Sequence, residues 1–569
     1  MAKKVIKEKS IEETLWQSCD KLRGSVEPAE YKHVVLGLIF LKFASDKFEE
    51  RRKGLISEGK EKYVELKDFY TMKNVFFLDE ISRWSYIIKN AKQNDISLKI
   101  DTALNTIEKN NPALKGALPD NYFSRLALDK TKLASLLDTV NDIDTLKDNG
   151  QDVIGRVYEY FLGKFALKES SGKGKGEFYT PKTIVNLIAE LIEPYKGIIY
   201  DPCCGTGGMF VQSIKFIENH QGTKKEVSIY GQENTPTTYK LAKMNLAIRG
   251  ISANLGEKHA DTFANDQHKD LKADYIMANP PFNLKDWRGE NELLDDPRWM
   301  GYEVPPKSNA NYGWILNMVS KLSENGVAGF ILANGALSGG GEEYKIRRKL
   351  IENNLVEAII IIPRNTFYTT DISVTLWILN KNKKQRTIKN AECLIMNDEL
   401  KEKNNSEFST HNSSFKHYRN REKEILFMDL RRWGSEYEKK YVQLTEQDIE
   451  NVALNYHNWQ QHPAKQEMMN DELRIMNEKK DNNSAFSIYN SSFYQDIPEF
   501  CKSASFEEIE ANDFSLVPSK YIEFVDKDSG IDFDTEMKRI QKDFKTLLID
   551  EKESQNQLIN AFKTFGYEI

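Results

Sequence analysis

Apolar and polar positions change their rhythm along the chain. As far as about residue 165, apolar residues recur at i, i+3 and i+4, the period of a helix that buries one face. The stretch "LWQSCDKLRGSVEPAEYKHVVLGLIFLKFASDKFEERRK" shows this, with Pro28 near an expected helix start. A further amphipathic helix is expected over 152–166, and "SSGKGKGEFYTPK" after it is basic and glycine-rich, composed as a mobile connector or lid. From about 177, short apolar runs alternate with helical patterns. Strands are expected at 197–200, 227–231, 273–278, 327–332, 356–362 and 374–379, with a weaker one over 254–260. Such alternation predicts a mostly parallel, doubly wound α/β sheet, whose ligands sit at the carboxyl ends of strands.

The pattern divides the chain into a helical domain over 1–165, an α/β domain over 166–400, a peripheral region over 401–530 and a C-terminal helix over 531–569. Two Asn/Ser-rich stretches, 402–421 and 477–492, are expected as loops of low order. The last helix carries an apolar stripe of Met537, Ile540, Phe544, Leu547, Leu558, Phe562 and Phe565. It suits packing on its own domain or on a partner helix.

Composition narrows the function class. A chain of 569 residues is expected to form two to four domains. The runs 34–43 and 358–363 are far shorter than a membrane span, and no apolar run follows the basic start "MAKKVIKEKS". Five cysteines without C-x-x-C spacing are neither a disulfide framework nor a zinc ribbon; a reducing cytoplasm and no metal are expected. The net charge of −6 disfavours a chain that grips nucleic acid unaided, so a basic face or a partner would supply that grip.

Three motifs carry chemistry. "DPCCGTGGMF", from Asp201 to Phe210, follows the first expected strand. Gly205, Gly207 and Gly208 permit a tight turn and a close approach to a ligand. Phe210 stands where a dinucleotide fingerprint needs its third glycine, and no phosphate-binding P-loop occurs. The turn therefore predicts a ligand held without phosphates. Glu233 follows the second expected strand and Asp261 the third; singly such acids are usually solvated, but together they suggest acceptors for ribose hydroxyls and an adenine amine. Finally, "DYIMANPPFN" ends a strand on Asn279-Pro280-Pro281-Phe282. Two prolines cannot continue a ladder, so the asparagine and the aromatic ring flank a rigid, extended stop.

The turn resembles the S-adenosylmethionine turn of amino-methyltransferases, and Asn279–Phe282 resembles their catalytic NPPF motif. The order lid, glycine turn, NPPF is similar to the gamma arrangement of DNA adenine-N6 methyltransferases. With "LRGSVEPAEYKHVVLGLIFLKF", "GEFYTPKTIVNLIAELIEP", "NANYGWILNMVSKL", "GFILANGALSGGGEEYKIRRKLIENNLVEAIIIIP" and "DIPEFCKSASFEEIEANDFSLVPSKYI", the chain resembles the modification subunit of a type I restriction-modification system over most of its length. The resemblance implies a Rossmann-like methyltransferase sheet and S-adenosylmethionine as cofactor. It implies cofactor contacts from Glu177, Phe178, Tyr179, Thr180, Pro181 and Lys182 on the lid side and from Asp201, Gly205, Thr206, Gly207 and Gly208 at the turn, with Glu233 at the ribose and Asp261 at the adenine. Asn279 and the Pro280 carbonyl would accept from the adenine amine, Pro281 would keep the turn rigid, and Phe282 would stack on the flipped base. The implied partners are double-stranded DNA, a specificity subunit, a second copy of this subunit and an ATP-driven restriction subunit. The loop over 283–311, with Trp287, Arg288, Arg298 and Trp299, would close over the base or the DNA. Cys203 departs from the family, which more often has a large apolar residue there; only a packing change is expected. Taken alone, NPPF equally suits methylation of protein glutamine or ribosomal RNA, and a scaffold without activity is the non-enzymatic alternative.

Overall fold

The helix Pro28–Ser57 begins on the proline that the sequence marks, a residue suited to the first helical turn because its missing N–H is not needed there. The computed structural model describes residues 16, 28–126, 128–143, 145, 160–161, 180–220, 222–367, 373–389, 415–437, 441–461, 494–525 and 533–564. They form two units, divided between Ile522 and Glu523.

In the first unit the helices Pro28–Ser57, Ile96–Asn110 and Lys130–Asn141 bury Val34, Leu38, Phe48, Leu104 and Leu137 together. Leu241, Met244 and Ile248 of the helix Pro236–Ile248 join the same core, so the helical region is packed directly on the α/β region. The sheet has nine strands in the order β13-β10-β6-β7-β5-β4-β1-β2-β3. These are β1 (Gly197–Asp201), β2 (Val227–Gly231), β3 (Ala253–Asn254), β4 (Ala273–Ala278), β5 (Leu322–Ala333), β6 (Val356–Ile361), β7 (Val374–Asn380), β10 (Glu424–Asp429) and β13 (Cys501–Ser505). β1 pairs in parallel with both β2 and β4, so the order reverses between β1 and β4 and opens a crevice at their carboxyl ends. β7 runs antiparallel between β5 and β6. Every residue of β6 and β7 is buried, as a sheet covered on both faces requires.

Three expectations change. The strand expected over 254–260 is only Ala253–Asn254, because Gly256 turns away at φ +82° and the Gln267 side chain takes the Glu257 amide. The sheet extends through β10 and β13 into the stretch set apart as peripheral. Part of the stretch 402–421 is ordered rather than loop: β9 (Phe415–Tyr418) pairs with β8 (Arg386–Lys389), and Arg421 is fully buried against Glu357 at 2.9 Å. Its polarity misleads because the charge is neutralised inside. The hairpin of β11 (Ser435–Tyr437) and β12 (Tyr441–Gln443) completes this unit's strands among the described residues. The stretch 477–492, the lid segment before Thr180 and most of 152–166 lie outside the described residues.

The second unit, Glu523–Ile569, contains the helix Phe533–Thr564. Phe544 and Leu547 on it are 60% and 63% exposed, and Met537, Ile540, Leu558 and Phe562 are exposed as well. Among the described residues no helix is long and apolar enough to cross a membrane.

Candidate active site at the carboxyl ends of β1, β2 and β4

The backbone after β1 turns through two left-handed glycines, Gly205 at φ +53° and Gly207 at φ +80°. Gly207 is the N-cap of the helix Gly208–Asn219. The turn is tied to the end of β2, where the Cys204 amide donates to the Gln232 carbonyl at 2.9 Å and the Gln232 amide to the Asp201 carbonyl at 3.1 Å. A Cβ placed on Gly205 or Gly208 would meet open space, whereas on Gly207 it would meet Leu246. The backbone at Gly205 and Gly208 therefore lies open to a ligand. Phe210 is buried, with its ring against Gly231, so the missing third glycine is a core aromatic.

Three carboxylates surround this turn. Asp201 is buried, accepts from the Cys203 amide at 2.9 Å, and is pushed by burial up to about 7. Glu233 accepts from the Gly205 amide at 3.1 Å through one oxygen and from the Thr235 amide at 2.7 Å through the other. Asp261 accepts from the Phe263 and Ala264 amides at 2.8 and 2.9 Å. It lies in the loop after β3 rather than at a strand end, and the hydrogen bond from the Ala260 amide to the Glu233 carbonyl draws that loop to β2.

At the end of β4, Asn279 and Pro280 are buried. The Asn279 amide nitrogen donates to Thr180 Oγ1 at 3.0 Å. Its Oδ1 is buried and has no hydrogen-bond partner among the described residues, a rare condition for a buried polar atom. Phe282 is half-buried, edge to face with Phe367 at 6.2 Å. The exit of the turn is locked by a reciprocal pair: Asn311 Nδ2 donates to Asn283 Oδ1 at 2.9 Å, and the Asn283 amide donates to Asn311 Oδ1 at 3.1 Å.

Of the residues singled out in the sequence, Thr180, Pro181 and Lys182, the 201–208 turn, Glu233, Asp261 and 279–282 all sit on this end of the sheet; Glu177, Phe178 and Tyr179 lie outside the described residues. Periodicity gave no sign of two supports: Gln232, whose buried side chain donates to the Ala260 and Asn265 carbonyls, and the Asn283–Asn311 pair. The loop over 283–311 does not stand free. Trp299 is buried, Trp287 packs on Phe263 at 4.4 Å, and Arg298 is paired with Asp296 inside the protein. The DNA-facing role expected for Arg298 and Trp299 is therefore corrected: both brace the Asp261 loop.

The open glycine backbone, three carboxylates and no phosphate cradle fit a cationic nucleoside ligand, and the orphaned Asn279 oxygen fits an amine substrate. Residues 149–529 match the family model "N-6 DNA Methylase", and residues 11–141 match "HsdM N-terminal domain". The chain belongs to the N-6 DNA methylase family. It is 33% identical to the type I restriction enzyme MjaIX methylase subunit of Methanocaldococcus jannaschii, over 98% of this chain and 91% of that one. It is 36% identical to the HindI methylase subunit of Haemophilus influenzae, over 84% and 94% respectively. The type I methyltransferase subunit of Streptococcus thermophilus shares the fold, with a TM-score of 0.65 at 22% identity over 90% of this chain and 99% of that one. As an N-6 DNA methylase of the type I kind, it transfers a methyl group from S-adenosylmethionine to N6 of adenine in DNA. The readings as a protein-glutamine enzyme, an RNA enzyme or a scaffold gain no support.

Proposed function

We propose that the methyl acceptor is held by Asn279 and Pro280, and that the observation carrying this role is the buried Asn279 Oδ1, which has no hydrogen-bond partner among the described residues. Adenine N6 is a poor nucleophile because its lone pair is delocalised into the ring. It must pyramidalise to react. Two fixed acceptors beside its two hydrogens, Asn279 Oδ1 and the Pro280 carbonyl, favour that geometry and the positive charge that develops. By analogy with single preorganised donors, each lowers the barrier by about 2.7–4 kcal/mol. Asn279 does not titrate, so it orients and polarises the amine rather than acting as a general base; the methylated amine loses its proton to water.

The cofactor supplies a sulfonium-bound methyl as electrophile. Thr206, Gly207 and Gly208 present the N-terminus of the helix Gly208–Asn219 to its carboxylate. Asp201 and Gly205 line the turn, Glu233 takes the ribose and Asp261 the adenine; an ionised carboxylate offers about four lone-pair sites, and Asp261 uses two of them, both on Oδ1, for the Phe263 and Ala264 amides. Pro181 and Lys182 face from the lid side, with Glu177, Phe178 and Tyr179 assigned there by resemblance. The target atom is unreachable inside a duplex, so the base flips out. The half-buried Phe282 ring, kept extended by Pro281, offers it a stacking face worth about 1–3 kcal/mol.

The working assembly contains double-stranded DNA, a specificity subunit that reads the site, a second copy of this chain and, for cleavage, the restriction subunit. The net charge of −6 supports the division, because the partner then brings the DNA affinity. The exposed apolar stripe of Phe533–Thr564 is the docking element for the specificity subunit. Free thiols at Cys203, Cys204 and Cys501 suit a cytoplasmic setting. Methyl transfer from labelled cofactor to unmodified plasmid, with the specificity subunit present, tests the reading: label recovered as N6-methyladenine supports it, and label absent from adenine overturns it.

A further inference from the structure

The two ends of an asparagine amide are almost the same size but opposite in hydrogen-bonding sense. With its oxygen forward, Asn279 accepts from an adenine amine; with its nitrogen forward, donor faces donor and the site fails. Something must hold the oxygen forward. Among the described residues, one polar side-chain atom meets the Asn279 amide, Thr180 Oγ1, which accepts from Nδ2 at 3.0 Å. The other end, Oδ1, is buried and has no partner among those residues.

Thr180 is itself well fixed. It precedes Pro181, and a residue before proline is confined to extended backbone. Pro181 is the N-cap of the helix Lys182–Ile192, which buries Ile184, Val185, Leu187, Ile188 and Leu191 in the core of the α/β region. The hydroxyl thus stands one residue before the N-cap of a helix that cannot shift without disturbing the sheet.

We infer that Thr180 is a positioning residue for methyl transfer: by accepting from Asn279 Nδ2, its hydroxyl keeps Asn279 Oδ1 aimed at the target amine. This rests on the reading of Asn279 as the acceptor. Thr180 ends the segment that the family resemblance assigns to the cofactor, so one stretch of backbone serves the cofactor side and orients the acceptor for the substrate.

The test uses the complex with its specificity subunit carrying Thr180→Val, Thr180→Ala or Thr180→Ser. The readouts are the single-turnover methyl-transfer rate at saturating cofactor and DNA, the cofactor Kd, and the thermal midpoint. Loss of one net hydrogen bond sets the scale: Thr180→Val and Thr180→Ala lower the rate about tenfold even with cofactor saturating, whatever the cofactor Kd does, and Thr180→Ser recovers most of the rate. An unchanged rate in Thr180→Val overturns the inference. A weakened Kd with an unchanged saturated rate also overturns it, since Thr180 then serves the cofactor alone. A loss in Thr180→Ser with the wild-type rate kept in Thr180→Val overturns it in favour of the methyl group, which Val retains and Ser lacks. Wild-type transfer by Asn279→Ala sinks the underlying reading instead, whatever Thr180 does.

Discussion

The Arg298 guanidinium donates to the Thr262 carbonyl at 2.9 Å and to the Phe263 carbonyl at 2.8 Å, while Asp296 holds it from the other side at 2.6 Å. Burial alone would raise the Asp296 carboxyl, but Arg298 outweighs it and holds it below the ordinary carboxylate range. The loop after the NPPF motif is thereby a brace for the turn that bears Asp261. Arg298→Ala leaves two carbonyls and one carboxylate without their partner. The cofactor KM is expected to rise about tenfold while the saturated rate changes little. Arg298→Lys recovers only part, because an ammonium lacks the planar fork that spans both carbonyls. Steady-state kinetics over a cofactor series checks this; an unchanged KM removes the brace.

Glu357 and Arg421 form a fully buried pair at 2.9 Å. Burial alone would raise the Glu357 carboxyl, yet Arg421, Gln460 and Lys383 outweigh it and lower it. Arg421→Met strands a charge and is expected to cost about 3–5 kcal/mol, whereas Glu357→Leu with Arg421→Met together is expected to restore most of that loss. Thermal denaturation of the two variants decides; equal losses would mean that the pair is not coupled.

Asp201 gives a stability term whose sign follows from burial. In the unfolded chain it ionises near about 3.9; in the fold it holds its proton up to about 7. Between those values unfolding releases a proton, so this residue's contribution to stability falls as pH rises through that window and stays low above it. Asp201→Asn removes the dependence. The thermal midpoint of the variant relative to the wild type is expected to increase from about pH 4 to about pH 8. A difference that is flat with pH contradicts the buried, proton-holding carboxyl.

The apolar face of Phe533–Thr564 yields a separate test. Phe544→Glu with Leu547→Glu places charges on its exposed stripe. Co-purification with the specificity subunit is expected to fail while the cofactor Kd stays unchanged. A complex that survives both substitutions moves the docking surface elsewhere.

Much of the architecture was legible in the chain because a doubly covered sheet demands apolar runs. The strands expected at 227–231 and 273–278 coincide with Val227–Gly231 and Ala273–Ala278, and Asn279 stands where Pro280 ends the ladder. What stayed hidden depends on long-range pairing. Arg421 reads as a loop residue until Glu357 is seen beside it. Arg298 reads as a DNA contact until Asp296 and the Thr262 carbonyl enclose it. Asp261 reads as a strand end because the turn at Gly256 and the Gln267 clasp leave no periodic trace. The contact between Thr180 and Asn279, 99 residues apart, has no local signature at all.

The central claim is that the buried Asn279 oxygen accepts from the target amine. Single-turnover methyl transfer by Asn279→Ala in the complex with the specificity subunit, alongside cofactor calorimetry, tests it most directly. The expected result is cofactor affinity equal to wild type with transfer slowed by about 10²–10³-fold; transfer at the wild-type rate would contradict the account.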